Sequence, residues 1–149
     1  MPFIDLAIEG RTEMGLIHDA ISDKDIQKVL GLVQSGADLT RRDTLGRTPL
    51  GLAVQVGDAA IVMALLDAGA HPDGRRDLSG EHPLHTAARA CRIDLLGMLL
   101  ERGADAEIRN GCGKSPSRIA WDIGAKDCVR LIDSYTRGSK ISRPQSKSG

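Results

Sequence analysis

The sequence predicts an all-α solenoid, a stack of short antiparallel helix pairs joined by hairpin turns. Three observations predict it. Gly36-Ala37-Asp38 returns as Gly69-Ala70-His71 and Gly103-Ala104-Asp105, at intervals of 33 and 34 residues. Thr48-Pro49-Leu50 and His82-Pro83-Leu84 stand 34 apart upstream of the last two, with a degenerate Ser115-Pro116-Ser117 after another 33. The 149 residues hold one Trp, one Tyr and one Phe, so Leu, Ile, Val and Ala must fill the core, and small aliphatic side chains suit closely stacked helices.

The first unit begins near Arg11 and is the loosest: it keeps Ala20, Val29, Leu32 and Gly36 but has Gly15-Leu16 where Thr-Pro belongs. The second, from Asp43, is the clearest. Thr48 is a good N-cap and Pro49 fits the first helical position, where a missing N–H costs nothing. A helix is expected to about Val56, ended by Gly57 in the left-handed conformation, with Asp58 capping the next. Ile61, Val62, Leu65 and Leu66 then form one apolar face, and Gly69 stops the helix. The third unit, from Asp77, repeats this face as Leu95, Leu96, Leu99 and Leu100. The fourth, from Asn110, puts Ser117 and Asp133 where leucines belong. Neither helix of a pair is stable alone, and only stacked neighbours cover its apolar face.

These features together resemble the ankyrin repeat: T-P-L, the L-L-x-x-G-A-D close and the period near 33. The resemblance covers residues 11–136, in units of about 11–42, 43–76, 77–109 and 110–136, and leaves 1–10 as an N-terminal extension. It is most specific in TPLGLAVQVGDAAIVMALLDAGA and HPLHTAARACRIDLLGMLLERGAD. Polar replacements in the end units are expected of caps. Within the good units, Gly51 stands where the family usually has His and costs the helix about 1 kcal/mol relative to Ala. His82 replaces the capping Thr. Cys91 replaces the inter-helix glycine, so a residue with a Cβ must take positive φ or the turn must differ. Arg76 is an extra residue in its hairpin.

Charge excludes little but directs little. Lys plus Arg equals Asp plus Glu at 20 each. Residues 1–40 carry seven acids and three bases, and residues 137–149 carry four bases and no acid. That basic tail, RGSKISRPQSKSG, is low in apolar content and expected to be disordered. A neutral array with almost no aromatic stacking material argues against nucleic acid. No stretch approaches the ~18 apolar residues of a spanning helix. The N-terminus has no basic region, and Asp5 and Glu9 interrupt its apolar run, so no signal peptide is expected. Three cysteines without C-x-x-C spacing fit a reduced, cytoplasmic setting.

The stretch EHPLHTAARAC gathers His82, His85 and Cys91, which would suit zinc or acid–base chemistry. The repeat gives them other roles. His82 starts a helix, the resemblance implies that His85 hydrogen-bonds between units, and Cys91 lies ~9 Å along the helix from His85. Gly111-Cys112-Gly113-Lys114-Ser115 lacks the glycine spacing and strand of a phosphate loop and reads as a hairpin turn. No cofactor, metal, catalytic group or small-molecule substrate is therefore expected.

The resemblance instead implies that another protein binds the hairpin tips and the exposed side of each first helix. Carried onto this sequence, those positions are Leu45, Arg47, Gln55, Val56, Leu78, Glu81, Arg89, Ala90, Lys114, Asp122 and Ile123. Leu45, Leu78, Val56 and Ile123 are apolar where the repeat does not require it, and Arg47, Arg89 and Lys114 flank them like the rim of an interface. Arg41, Arg42, Arg75, Arg76 and Arg109 offer planar donors for an acidic partner, for the interleaved Asp43, Asp73, Asp77 and Glu107 or, as the weaker alternative, for the phosphates of a nucleic acid. The expectation is a rigid binding module, monomeric when free, that acts as an inhibitor, immunity protein, effector or adaptor.

Overall fold

The computed structural model of the chain describes residues 12–74 and 77–142, with side chains over 16–74 and 77–136. Among them are eight helices: α1 (Thr12–Ser22), α2 (Ile26–Gln34), α3 (Pro49–Val56), α4 (Ala59–Asp67), α5 (Pro83–Arg89), α6 (Ile93–Glu101), α7 (Pro116–Asp122) and α8 (Lys126–Ser142). They pair in sequence order, α1 with α2 through α7 with α8. The pairs stack in two rows: α1, α3, α5 and α7 pack successively on one side, and α2, α4, α6 and α8 on the other. This is the all-α solenoid that the period predicts.

The helix ends follow the chemistry of their residues. Thr48 caps α3 by accepting the Gly51 N–H at 3.2 Å, and Ser115 caps α7 through the Arg118 N–H at 3.2 Å. Asp58 accepts the Ala60 and Ile61 N–H groups at the start of α4. Gly57 closes α3 at φ 86°, the left-handed region where a side chain is a burden. Cys91 occupies the same turn of the next unit at φ 56°. The turn keeps its shape, and the cysteine bears the strain.

The core is the predicted stripe. Ile61, Val62, Leu65 and Leu66 on α4 and Leu95, Leu96, Leu99 and Leu100 on α6 are all buried, joined by Ile17, Ile21, Val29, Leu50, Leu84 and Ile132. Each such side chain is worth about 1.5–3 kcal/mol when fully buried. In the last unit, Ser117 and Asp133, which stand where leucines belong, hydrogen-bond each other at 3.0 Å. A polar pair thus closes the end of the stack. Helix α8 continues past residue 136 to Ser142, through Gly138, into the stretch whose composition predicts a tail. Nothing before Pro144 forbids this, and a residue preceding proline is pushed out of the helical region. Residues 1–11, Arg75, Arg76 and 143–149 lie outside the described residues.

Candidate partner-binding face

Each hairpin is built by one acidic or amide side chain. The Asp43 Oδ1 accepts the N–H groups of Leu45 and Arg47 at 3.0 and 2.8 Å. Asp77 does the same for Ser79 and Glu81, at 2.9 and 3.0 Å. Asn110 does so for Cys112 and Lys114, at 2.9 and 2.8 Å. The backbone closes the same loop each time, from Asp43 N–H to the Arg47 carbonyl and equivalently from Asp77 to Glu81 and Asn110 to Lys114. Adjacent hairpins are then tied together: the Leu78 N–H donates to the Leu45 carbonyl at 3.0 Å, and the Gly111 N–H to the Gly80 carbonyl at 2.8 Å.

A rung joins the foot of each hairpin to the end of the first helix eight residues on. Arg47 Nη1 donates to Gln55 Oε1 at 2.7 Å. Arg89 pairs with Glu81. Lys114 Nζ meets Asp122 Oδ2 at 2.8 Å. The sign alternates from unit to unit, with Arg, Glu and Lys on the hairpin against Gln, Arg and Asp on the helix. Burial pushes the Asp43 carboxyl up, but the Arg47 guanidinium and the hairpin N–H groups outweigh it and leave the group below its ordinary range. The Lys114 ammonium and the Arg118 guanidinium hold Asp122 low as well. The face is thereby largely neutralised from within.

The predicted residues do not all share one site. Glu81, Arg89, Lys114, Asp122 and Ile123 line one groove of about 510 Å³ between units three and four, over Asn110 and Ile119. Arg47 and Gln55 form the rung of unit two, outside that groove. Leu45, Leu78 and Ile123 are 53, 72 and 45 % exposed, and Ala90 is also exposed. Val56 is half-buried and packs against the core, so its side chain serves the fold at least as much as the surface. The described members of the arginine row are spent internally: Arg42 Nε donates to the Gly46 carbonyl and Arg109 Nη1 to the Gly113 carbonyl, each at 3.0 Å, while Arg41 pairs with Asp38.

The histidines of EHPLHTAARAC are occupied too. His85 is fully buried; its Nδ1 accepts the His82 N–H at 3.2 Å, and its Nε2 donates to the Lys114 carbonyl of the next unit at 2.9 Å. Burial pushes its pKa down, against the opposing pull of the Lys114 carbonyl. His82 Nδ1 bonds the Asp73 carbonyl at 3.1 Å. Among the described residues no group of three or more His, Cys, Asp or Glu could hold a metal ion, and no helix is long and apolar enough to cross a membrane.

Three residues escape the sequence reading. His18 donates from Nε2 to the Arg47 carbonyl at 2.9 Å, the bond that His85 makes one junction on from the gap at Gly51. Leu16-Ile17-His18 aligned with Pro83-Leu84-His85 is the signal. Arg92 replaces the capping aspartate and instead reaches the Gly57 carbonyl at 2.9 Å while pairing with Asp94. Trp121 sits where Val54 and Ala88 are buried in earlier units, yet is 65 % exposed because no described pair follows it.

A family model of ankyrin repeats, three copies, matches residues 17–110. The human cyclin-dependent kinase inhibitor 2A is 29 % identical over 127 residues, which is 83 % of this chain and 81 % of that protein. Mouse cyclin-dependent kinase 4 inhibitor B is 28 % identical over 85 % of this chain and 96 % of its own length. A putative E3 ubiquitin-protein ligase of Arabidopsis thaliana, XBAT34, is 30 % identical over 85 % of this chain. The chain spans only 34 % of that last protein.

Proposed function

The chain belongs to the ankyrin-repeat family and is a protein–protein interaction module, and we propose that it inhibits its partner by occluding it, using the hairpin tips and the first-helix row as one rigid face. The observation that carries this is the neutralised face itself. The rungs at 81–89 and 114–122 and the Arg47–Asp43 pair consume the charges, leaving Leu45, Leu78 and Ile123 exposed beside them. Apolar anchors within a satisfied polar frame are the composition of an interface core. Preorganised side chains also reduce the ordering cost of binding.

The inhibitor reading is favoured over adaptor, immunity protein or effector by how much of the inhibitor relatives this length of chain covers, 81 and 96 %. Their names make a cyclin-dependent kinase the first target to test. We read the chain as non-enzymatic, because the histidines that would serve catalysis are engaged with backbone groups. Free Cys91, Cys112 and Cys128 suit a reducing compartment such as the cytoplasm.

Affinity capture with the full chain, followed by mass spectrometry, tests this. The wild type should retain a protein partner that Leu45→Asp with Leu78→Asp loses, with the melting temperature nearly unchanged. Recovery of nucleic acid in preference to protein, or a partner held equally by the double variant, would sink the proposal.

A further inference from the structure

The turn between the two helices holds a non-glycine residue in unit three, as it does at Lys24 in unit one. Gly57 and Gly124 take the left-handed conformation in units two and four at φ 86° and 77°, and Cys91 takes it at 56° with a Cβ attached. The backbone fixes where that Cβ points. An added Cβ at Gly57 would lie 2.5 Å from the guanidinium of Arg92, the residue that precedes the second helix of the following unit. The turn thus aims a side chain at the start of the next unit's second helix. By repeat equivalence, the same vector at Cys91 points toward Ala125, the residue before α8. One turn further along α8 stands Cys128, in the position of Ile61 and Leu95 and buried like them. Cys91 is exposed. Burial pushes the Cys128 thiol up, and the charge of Cys91 and the hydrogen bond that the Cys128 thiol donates to the Cys91 sulfur add to the effect, which sets the two thiols beside each other.

We propose that Cys91 and Cys128 form a reversible disulfide that staples unit three to unit four when the chain meets a peroxide. The exposed Cys91 reacts first. Its thiolate sulfur attacks one oxygen of hydrogen peroxide, the O–O bond breaks, and the leaving hydroxide takes up a proton to become water, leaving a sulfenic acid. The Cys128 sulfur then attacks the sulfenic sulfur as its own proton departs. The S–S bond forms, the S–O bond breaks, and a second water leaves. Two thiols lose two protons and two electrons, and one peroxide becomes two waters. Burial keeps Cys128 protonated and shielded from peroxide, which suits the resolving role, while Cys91 meets solvent. The bond would close a ring from residue 91 to residue 128, and a ring of that length restricts the unfolded chain.

The proposal is independent of which partner the chain binds. The full chain carrying Cys112→Ser, to remove the third thiol, is exposed to hydrogen peroxide, alkylated with N-ethylmaleimide and mapped by mass spectrometry. The expected product is a monomer lighter by two hydrogens, with one crosslinked peptide pair containing Cys91 and Cys128 and no alkylation at either. Dithiothreitol should restore both alkylation sites, and Cys91→Ser should yield no crosslink. Recovery of Cys91 as sulfinic or sulfonic acid with Cys128 still alkylated, or a crosslink that appears only between chains or only in urea, would overturn the proposal.

Discussion

Single residues carry two of the strains that the chain tolerates. Cys91 holds φ 56° in a turn its neighbours give to glycine, and a left-handed residue with a Cβ costs about 1–2 kcal/mol. Cys91→Gly should therefore stabilise the reduced protein by about 1 kcal/mol, read as a shift in urea midpoint at constant slope. His85 is held neutral by burial, with its pKa below the ordinary value of about 6.5. The unfolded chain then binds a proton that the folded chain refuses. Stability is full above pH ~6.5 and declines as the pH falls below it. The lowered carboxylates Asp38, Asp43, Asp94 and Asp122 keep their charge there and lose stability only at more acidic pH. Urea midpoints between pH 7.5 and 5 should thus fall for the wild type and flatten in His85→Gln, and an unchanged slope in that variant would refute the assignment.

At the scale of the element, the instructive comparison is among the first helices of the pairs. His18 on α1 and His85 on α5 each send Nε2 to the carbonyl just before the next unit's helix, Arg47 and Lys114. On α3 the equivalent residue is Gly51, so the carbonyl of Glu81 lacks that bond. The space allows a side chain, since an added Cβ at Gly51 would find its nearest neighbour, the Thr48 Oγ1, at an ordinary 3.5 Å. Gly51→His should supply the missing bond between units and remove a helical glycine, raising stability by about 1–2 kcal/mol. Gly51→Ala should recover only the helix share, and equal gains from the two would show that no such bond forms. The helices themselves were legible because caps and apolar spacing are local: Thr48, Pro49, Asp58 and the paired leucines each state their role within a few residues. The rungs were not legible, because Glu81 and Arg89 meet only after a hairpin folds back onto the helix that follows it. Their trace in the sequence is faint, a polar residue at 47, 81 and 114 answered eight positions later by a complementary one. Val56 shows the reverse case, since the pattern exposes it and the structure packs it half-buried against the core.

For the whole molecule, the balance of charge has a consequence in solution. The acids and bases are equal in number, and those on the proposed partner-binding face are largely paired with one another, so little long-range field remains to steer a partner. Affinity measured by titration calorimetry should change less than about tenfold between 50 and 500 mM salt, with a negative heat capacity change from apolar burial. A steep salt dependence would show instead that a partner breaks the rungs and uses their charges. The arrangement also places the only tryptophan of the chain on α7, exposed and outside the groove lining. Its emission therefore reports on one end of the stack alone. A partner confined to the hairpins and the groove would leave that fluorescence near its solvent-exposed maximum, and one that reaches over the end would shift it to the blue, so unlabelled protein carries its own optical marker of how far a bound surface extends.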